Sequence, residues 1–272
     1  MSDLKNYDNT KETYRGFETK YPDFDDVNPT DYSLLYEALS FVVNSSDQAF
    51  EEQVEEYFDV PVLIDYYLFI NTLVARDNNG KNMFWGCYDR EASKKLTPGV
   101  WDLDCTVGQN YTDKDPHPDS FGPEVNMRSQ QMRVIARLLD IPYYANVVQY
   151  RYKELSSTHL NADSLIARFE KYFLLFERGG AAAREELRWS GDTDVAGLTL
   201  DFEGELEFIK KWIIDRFAYL NNGEFKNTIG TGVAIYETTE MSEQIYNLLG
   251  VPIDAPTSAG VYIQNGKKII TQ

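Results

Sequence analysis

The sequence predicts an α+β protein, mostly helical, with a short β-hairpin at a candidate site and a small all-β module at the C-terminal end. Three observations lead there. Apolar residues recur at helical spacing over most of residues 31–221. Inside that span, residues 82–103 read as two strands around a charged turn. After residue 231 the stripes give way to short alternating runs.

Each element follows from local chemistry. Residues 1–29 are polar, rich in Asp, Asn and Tyr, and read as a loosely structured lead-in. Asp31 is the expected N-cap of a helix with Leu34, Leu35, Ala38, Leu39 and Val42 on one face. A second helix starts near Asp47 and turns Phe50, Val54 and Tyr57 inward. Asp59-Val60-Pro61 reads as a cap with proline in the first turn. The segment from Val62 to Val74 is apolar nearly all round, the mark of a buried helix.

Asn79-Gly80 signals a turn, followed by a strand over Asn82–Tyr88, a charged turn over Asp89–Lys95 and a strand over Gly99–Leu103. Residues 108–127 form a long loop rich in Gly, Asp and Pro. Helical stripes then run from Arg128 to Asn221. They carry Val134, Leu138 and Leu139, then Tyr144, Val148, Tyr152 and Leu155. Leu165, Phe169, Tyr172, Phe173 and Phe176 come next, ended by Gly179-Gly180, and Leu206, Ile209, Ile213, Phe217 and Leu220 come last. The aromatic pairs Tyr143-Tyr144 and Tyr172-Phe173 are expected in the core. In the tail, runs at 233–236, 244–247, 261–264 and 267–270 read as strands, the last two joined by a tight Asn265-Gly266 turn.

Composition narrows the function. The chain has 272 residues, 43% apolar and 14% aromatic, enough for a sizeable core. Its formal charge of −18 disfavours binding to nucleic acid or anionic lipid. No apolar run is long enough to span a bilayer, and the first 30 residues lack a signal-peptide core. Cys87 and Cys105 are too few for a disulfide scaffold and are expected as free thiols. His117 lies in a solvated loop, and His159 offers it no local partner for a metal.

The chemistry-bearing stretch is Asp77-Asn78-Asn79-Gly80-Lys81-Asn82, followed after the first strand by Trp101-Asp102-Leu103-Asp104. An Asp five positions before an Asn, then a strand ending in carboxylates, suits phosphoryl transfer. One carboxylate orients the attacking hydroxyl, while an amide oxygen and further carboxylates hold magnesium. Asp102 and Asp104, two apart on a strand, would share a face and repel unless a cation sits beside them. The plainer alternative is a surface turn, since Asn and Asp crowd loops for conformational reasons alone.

The segments "DYYLFINTLVARDNNGKNMFWGCYD" and "VWDLDCTVGQNY" resemble the CotH kinase family, the spore-coat-protein-H-like atypical kinases. "RLLDIPYYANVVQYRYKELSS" and "ELRW" fit its C-terminal portion, so the resemblance covers residues 30–222. It implies a protein-kinase-like C-lobe that uses Mg and ATP on a protein substrate. Asp77 is then similar to the catalytic-loop Asp, Asn82 to its metal-binding Asn, and Asp102 and Asp104 to the metal-holding acid. Of these two, Asp104 is the expected primary ligand. Such a kinase also needs a front lobe with a phosphate-contacting Lys and a covering loop. Residues 1–29 hold Lys5, Lys11 and Lys20 but no Gly-rich loop, so the chain is expected to be a fragment or a degenerate member, with the lead-in as a remnant of that lobe.

The tail, "IYNLLGVPIDAPTSAGVYIQNGKKIITQ", is similar to the type IX secretion sorting domain common in Bacteroidetes, which implies a secreted or outer-surface protein. The alternative for the tail is an accessory hairpin with Lys267-Lys268 protecting its edge. For the whole chain, the alternative is a non-catalytic secreted binding or scaffold protein that keeps the kinase-like fold.

Overall fold

Side-chain caps set two of the first three helix starts. A computed structural model describes residues 7–23, 30–109, 132–194, 197–224, 245–247, 252–253, 255, 260–264 and 267–271, and divides the chain into units 1–230 and 231–272. In α1 (Ser33–Asn44) the N-cap is Tyr32 rather than Asp31. Asp31 Oδ1 still accepts from the Ser33 N–H at 2.9 Å and so satisfies the first donor of the helix. Leu34, Ala38 and Val42 are buried there, as their spacing requires. Ser46 Oγ caps α2 (Asp47–Tyr57) by accepting from the Ala49 N–H. Asp59 Oδ1 caps α3 (Val60–Thr72) by accepting from the Val62 N–H, with Pro61 in the first turn.

The lead-in is more ordered than expected. Residues 7–23 include a hairpin, β1 (Thr13–Tyr14) with β2 (Phe17–Glu18). Tyr14 is buried and its ring lies 5.5 Å from that of Tyr32, while the Thr30 N–H donates to Asn9 O at 2.9 Å. Aromatic contacts to α1 hold a segment whose polar composition suggested looseness.

Helix α3 is the centre of the first unit. Nine of its 13 residues are buried, among them Leu63 and Leu68 at 0% exposure, so the all-round apolar pattern has its physical counterpart. Against it pack α4 (Arg133–Leu139), α5 (Pro142–Ser156) and a hairpin of β3 (Met83–Gly86) with β4 (Thr97–Val100). The hairpin register runs from Met83 opposite Val100 to Gly86 opposite Thr97. Leu96 fastens the hairpin to the junction of α2 and α3: its N–H donates to Tyr57 O and its carbonyl accepts from the Asp59 N–H. Both strands are shorter than the sequence suggested. β4 stops at Val100, so residues 101–104 lie beyond the ladder.

Helices α6 (Ala162–Arg178), α7 (Ala181–Arg188) and α8 (Phe202–Tyr219) complete the unit. The α6 stripe was expected in the core, yet no α6 residue is fully buried, and Tyr172 and Phe176 are exposed. The main packing partners of α6 are α7 and α8 rather than α3, so Ala162, Leu165, Ile166, Phe169 and Phe173 gain only partial cover. Tyr143 is exposed for a related reason: it precedes Tyr144 on α5, and only Tyr144 turns toward the core. Cys87 and Cys105 are free thiols.

Burial sets a testable pH dependence. Desolvation first, and for Tyr144 the nearby Glu55 charge as well, push the phenols of Tyr144 and Tyr152 up to about 12, while Arg216 pulls weakly the other way on Tyr152. A phenol with a raised folded-state pKa adds stability that is complete below the unfolded value of about 10 and is lost as pH rises through the folded one. Tyrosinate absorbance at 295 nm should therefore show a late-titrating class near pH 12. The urea midpoint should fall progressively above about pH 10.

In the second unit β5 (Ile245–Asn247), β6 (Pro252–Ile253), β7 (Gly260–Gln264) and β8 (Lys267–Thr271) form an antiparallel sheet in the order β6-β5-β7-β8. Gln264 pairs with Lys267, which leaves a two-residue connection. Asn265-Gly266 themselves, the expected strand at 233–236, most of the 108–127 loop and His117 lie outside the described residues.

Candidate active site

The end of α3 is built to launch a turn in a fixed direction. Ala75 N–H donates to Ile70 O and Val74 N–H to Asn71 O, a Schellman closure. Its left-handed position is Val74, with φ of 51°, where a β-branched side chain is costly. Two carbonyls of the last turn, those of Asn71 and Thr72, accept from the guanidinium of Arg216 at 2.6 and 3.3 Å. Arg216 is fully buried, placed by α8, so a cation sits at the negative end of the helix. After that anchor comes a single 3-10 turn, Arg76–Asn78, which carries Asp77.

Asp77 lies in a tight polar cluster. Its Oδ2 accepts from Asn82 Nδ2 at 2.6 Å, and Lys81 Nζ stands 2.9–3.0 Å from both of its oxygens. The Asp77 side chain is only 12% exposed, against 66% for Lys81. Asn82 Nδ2 also faces Asp102 Oδ2, at 3.5 Å. One amide thus bridges two carboxylates that flank the open end of the hairpin, one before β3 and one after β4.

Both Asn82 and Asp102 adopt left-handed backbone, with φ of 46° and 55°, a region that Asn and Asp tolerate better than most residues. The reversal at Asp102 changes what the sequence suggested. Asp102 and Asp104 do not alternate along a strand, so the shared face expected for them is not formed. Asp104 Oδ1 instead accepts from the Cys105 N–H at 2.8 Å. Among the described residues no three His, Cys, Asp or Glu side chains gather into a metal-holding group. The structure therefore brings together Asp77, Asn82 and Asp102, and leaves Asp104 turned to its own backbone.

Sequence reasoning missed the residues that hold this cluster. Asn78 has 0% exposure, and its Nδ2 donates to Asn82 O at 2.7 Å and to Trp101 O at 2.6 Å. Tyr66 Oη, on α3, donates to Asn78 O at 2.6 Å, and desolvation drives that phenol well above the ordinary tyrosine range. Arg216 carried a visible signal: a charged residue on the core stripe of a helix, between Ile213 and Phe217. Asn78 carried none, hidden in a run of turn-forming letters.

Fixed carboxylates around an amide suit a hard cation. Magnesium uses one or two carboxylates with further oxygens from water or phosphate, so Asp102 with Asn82 fits without a three-carboxylate cage. For Asn82 to ligate, its amide must turn over to present Oδ1, because the nitrogen now faces both acids. The Lys81 ammonium beside Asp77 would repel a cation bound at this cluster. Lys81→Ala should thus raise magnesium affinity about two- to fivefold, the scale of a half-exposed ion pair. Calorimetric titration checks this.

The family model described as CotH kinase protein matches residues 2–220, and the chain belongs to that family. A search of curated proteins finds no match. Among the described residues no helix is long and apolar enough to cross a membrane.

Proposed function

We propose that this chain is the catalytic part of a CotH-like protein kinase that transfers the γ-phosphoryl group of Mg-ATP to a Ser or Thr hydroxyl of a protein substrate. The observation that supports this most is the Asn82 amide shared between Asp77 and Asp102, inside a family of kinases. In this reading Asp77 accepts a hydrogen bond from the attacking hydroxyl, orients it and takes its proton. Its low exposure and the Asn82 contact fix the direction of the carboxylate. Asn82 and Asp102 hold the magnesium, and Asp104 joins them only if it releases the Cys105 N–H. Magnesium, when bound, neutralises charge on the transferred phosphate. Lys81, on an exposed flexible stem, keeps Asp77 neutralised until a substrate hydroxyl displaces it.

A second reading is a secreted surface or scaffold protein that binds a divalent cation without catalysis. The engagement of Asp77 by Lys81 and the charge of −18 favour it. In both readings the tail directs export to the outer surface. Calorimetry separates the two. Mg-dependent ATP binding that disappears in Asp102→Ala is expected for the kinase, whereas cation binding with no nucleotide response would favour the scaffold.

A further inference from the structure

We infer that Asn78, which no role in phosphoryl transfer has yet claimed, is the positioning residue that sets the spacing between Asn82 and Asp102; this rests on the kinase reading above. Its two amide protons are divided between one carbonyl on each side of the site. One belongs to Asn82 itself, the other to Trp101, the residue before Asp102. The same two residues are joined a second time, since the Trp101 N–H donates to Asn82 O at 3.0 Å. Both flanking residues are left-handed, a conformation that persists only where surroundings over-determine it.

Asn78 has little freedom of its own. The Tyr66 hydroxyl, rooted in α3, holds its carbonyl, and the side chain has no exposed surface. Its Oδ1 is buried without a hydrogen-bond partner, so the amide is not placed to satisfy itself. A buried polar group left half-satisfied is unusual, and such groups concentrate where geometry serves function. The clamp thus carries the rigidity of the buried helix to the two side chains that face Asp77.

Asn78→Leu keeps the volume and removes both bonds. With Mn²⁺ as the probe, read by electron paramagnetic resonance, affinity should fall about 10–100-fold, the usual cost of losing an outer partner of a ligand. The Asn82 side-chain amide signal in ¹⁵N-labelled, metal-free protein should also shift toward its free position, assigned by its absence in Asn82→Ser. Val54→Ala, at a fully buried position of α2, serves as the stability control: it should lower the melting temperature and leave both signals alone. Should Asn78→Leu fail to fold, Asn78→Ala gives the same reading.

Unchanged Mn²⁺ affinity and an unmoved Asn82 signal in Asn78→Leu would overturn the clamp while leaving the kinase reading intact. If wild-type protein binds no Mn²⁺, the kinase reading fails, and the amide signal alone decides the clamp.

Discussion

Asp77→Asn should lower phosphoryl transfer by about 10²–10⁴-fold, the range for loss of a positioned proton acceptor, while the protein remains folded. The change keeps shape and removes one charge. Asn82 and Lys81 lose a charged partner, but Lys81 is largely solvated, so the melting temperature should move by no more than about 4 °C. ATP affinity should change little, because the hydroxyl acceptor touches the nucleophile rather than the nucleotide. Full activity in Asp77→Asn would remove Asp77 from the mechanism. A collapse of the fold would make it structural instead.

The second large effect is on stability. Arg216→Met retains the apolar stem but takes the guanidinium away from both carbonyls, which leaves Asn71 O with backbone donors alone and Thr72 O without its arginine partner. Leaving one buried acceptor unsatisfied costs on the order of 1–3 kcal/mol, and a loss on that scale is expected. Loss of the favourable cation at the helix C-terminus adds to it. Urea unfolding should show a lower midpoint at an unchanged slope. Because α3 launches the 3-10 turn, the same variant should weaken cation binding as well. A stability change under about 0.5 kcal/mol would mean that water replaces the guanidinium and that the anchor is dispensable.

Helices were legible where periodicity and burial coincide. The cap at Asp59, the start of α2 at Asp47, the all-round apolar α3 and the Ile209–Phe217 stripe of α8 follow directly from spacing and end chemistry. The α6 stripe misled because amphipathicity says which face is apolar, not how completely a neighbour covers it. The candidate site was legible in part. The Asp77–Asn82 spacing does place an amide against a carboxylate. The relation of Asp102 to Asp104 was not legible, because a single left-handed residue at 102 breaks the period of two. Asn78 and Tyr66 were invisible for another reason: their work is done through backbone carbonyls far apart in sequence, and nothing in the letters announces such bonds.

The central claim is that Asn82 and Asp102 face one cation beside Asp77. Anomalous diffraction from crystals grown with Mn²⁺ and a non-hydrolysable ATP analogue tests it most directly. The account predicts a single strong peak in direct contact with an oxygen of Asp102 and with Oδ1 of Asn82, the amide turned over from its metal-free orientation. A peak elsewhere, or an Asn82 nitrogen still bridging the two carboxylates with nucleotide bound, would contradict it.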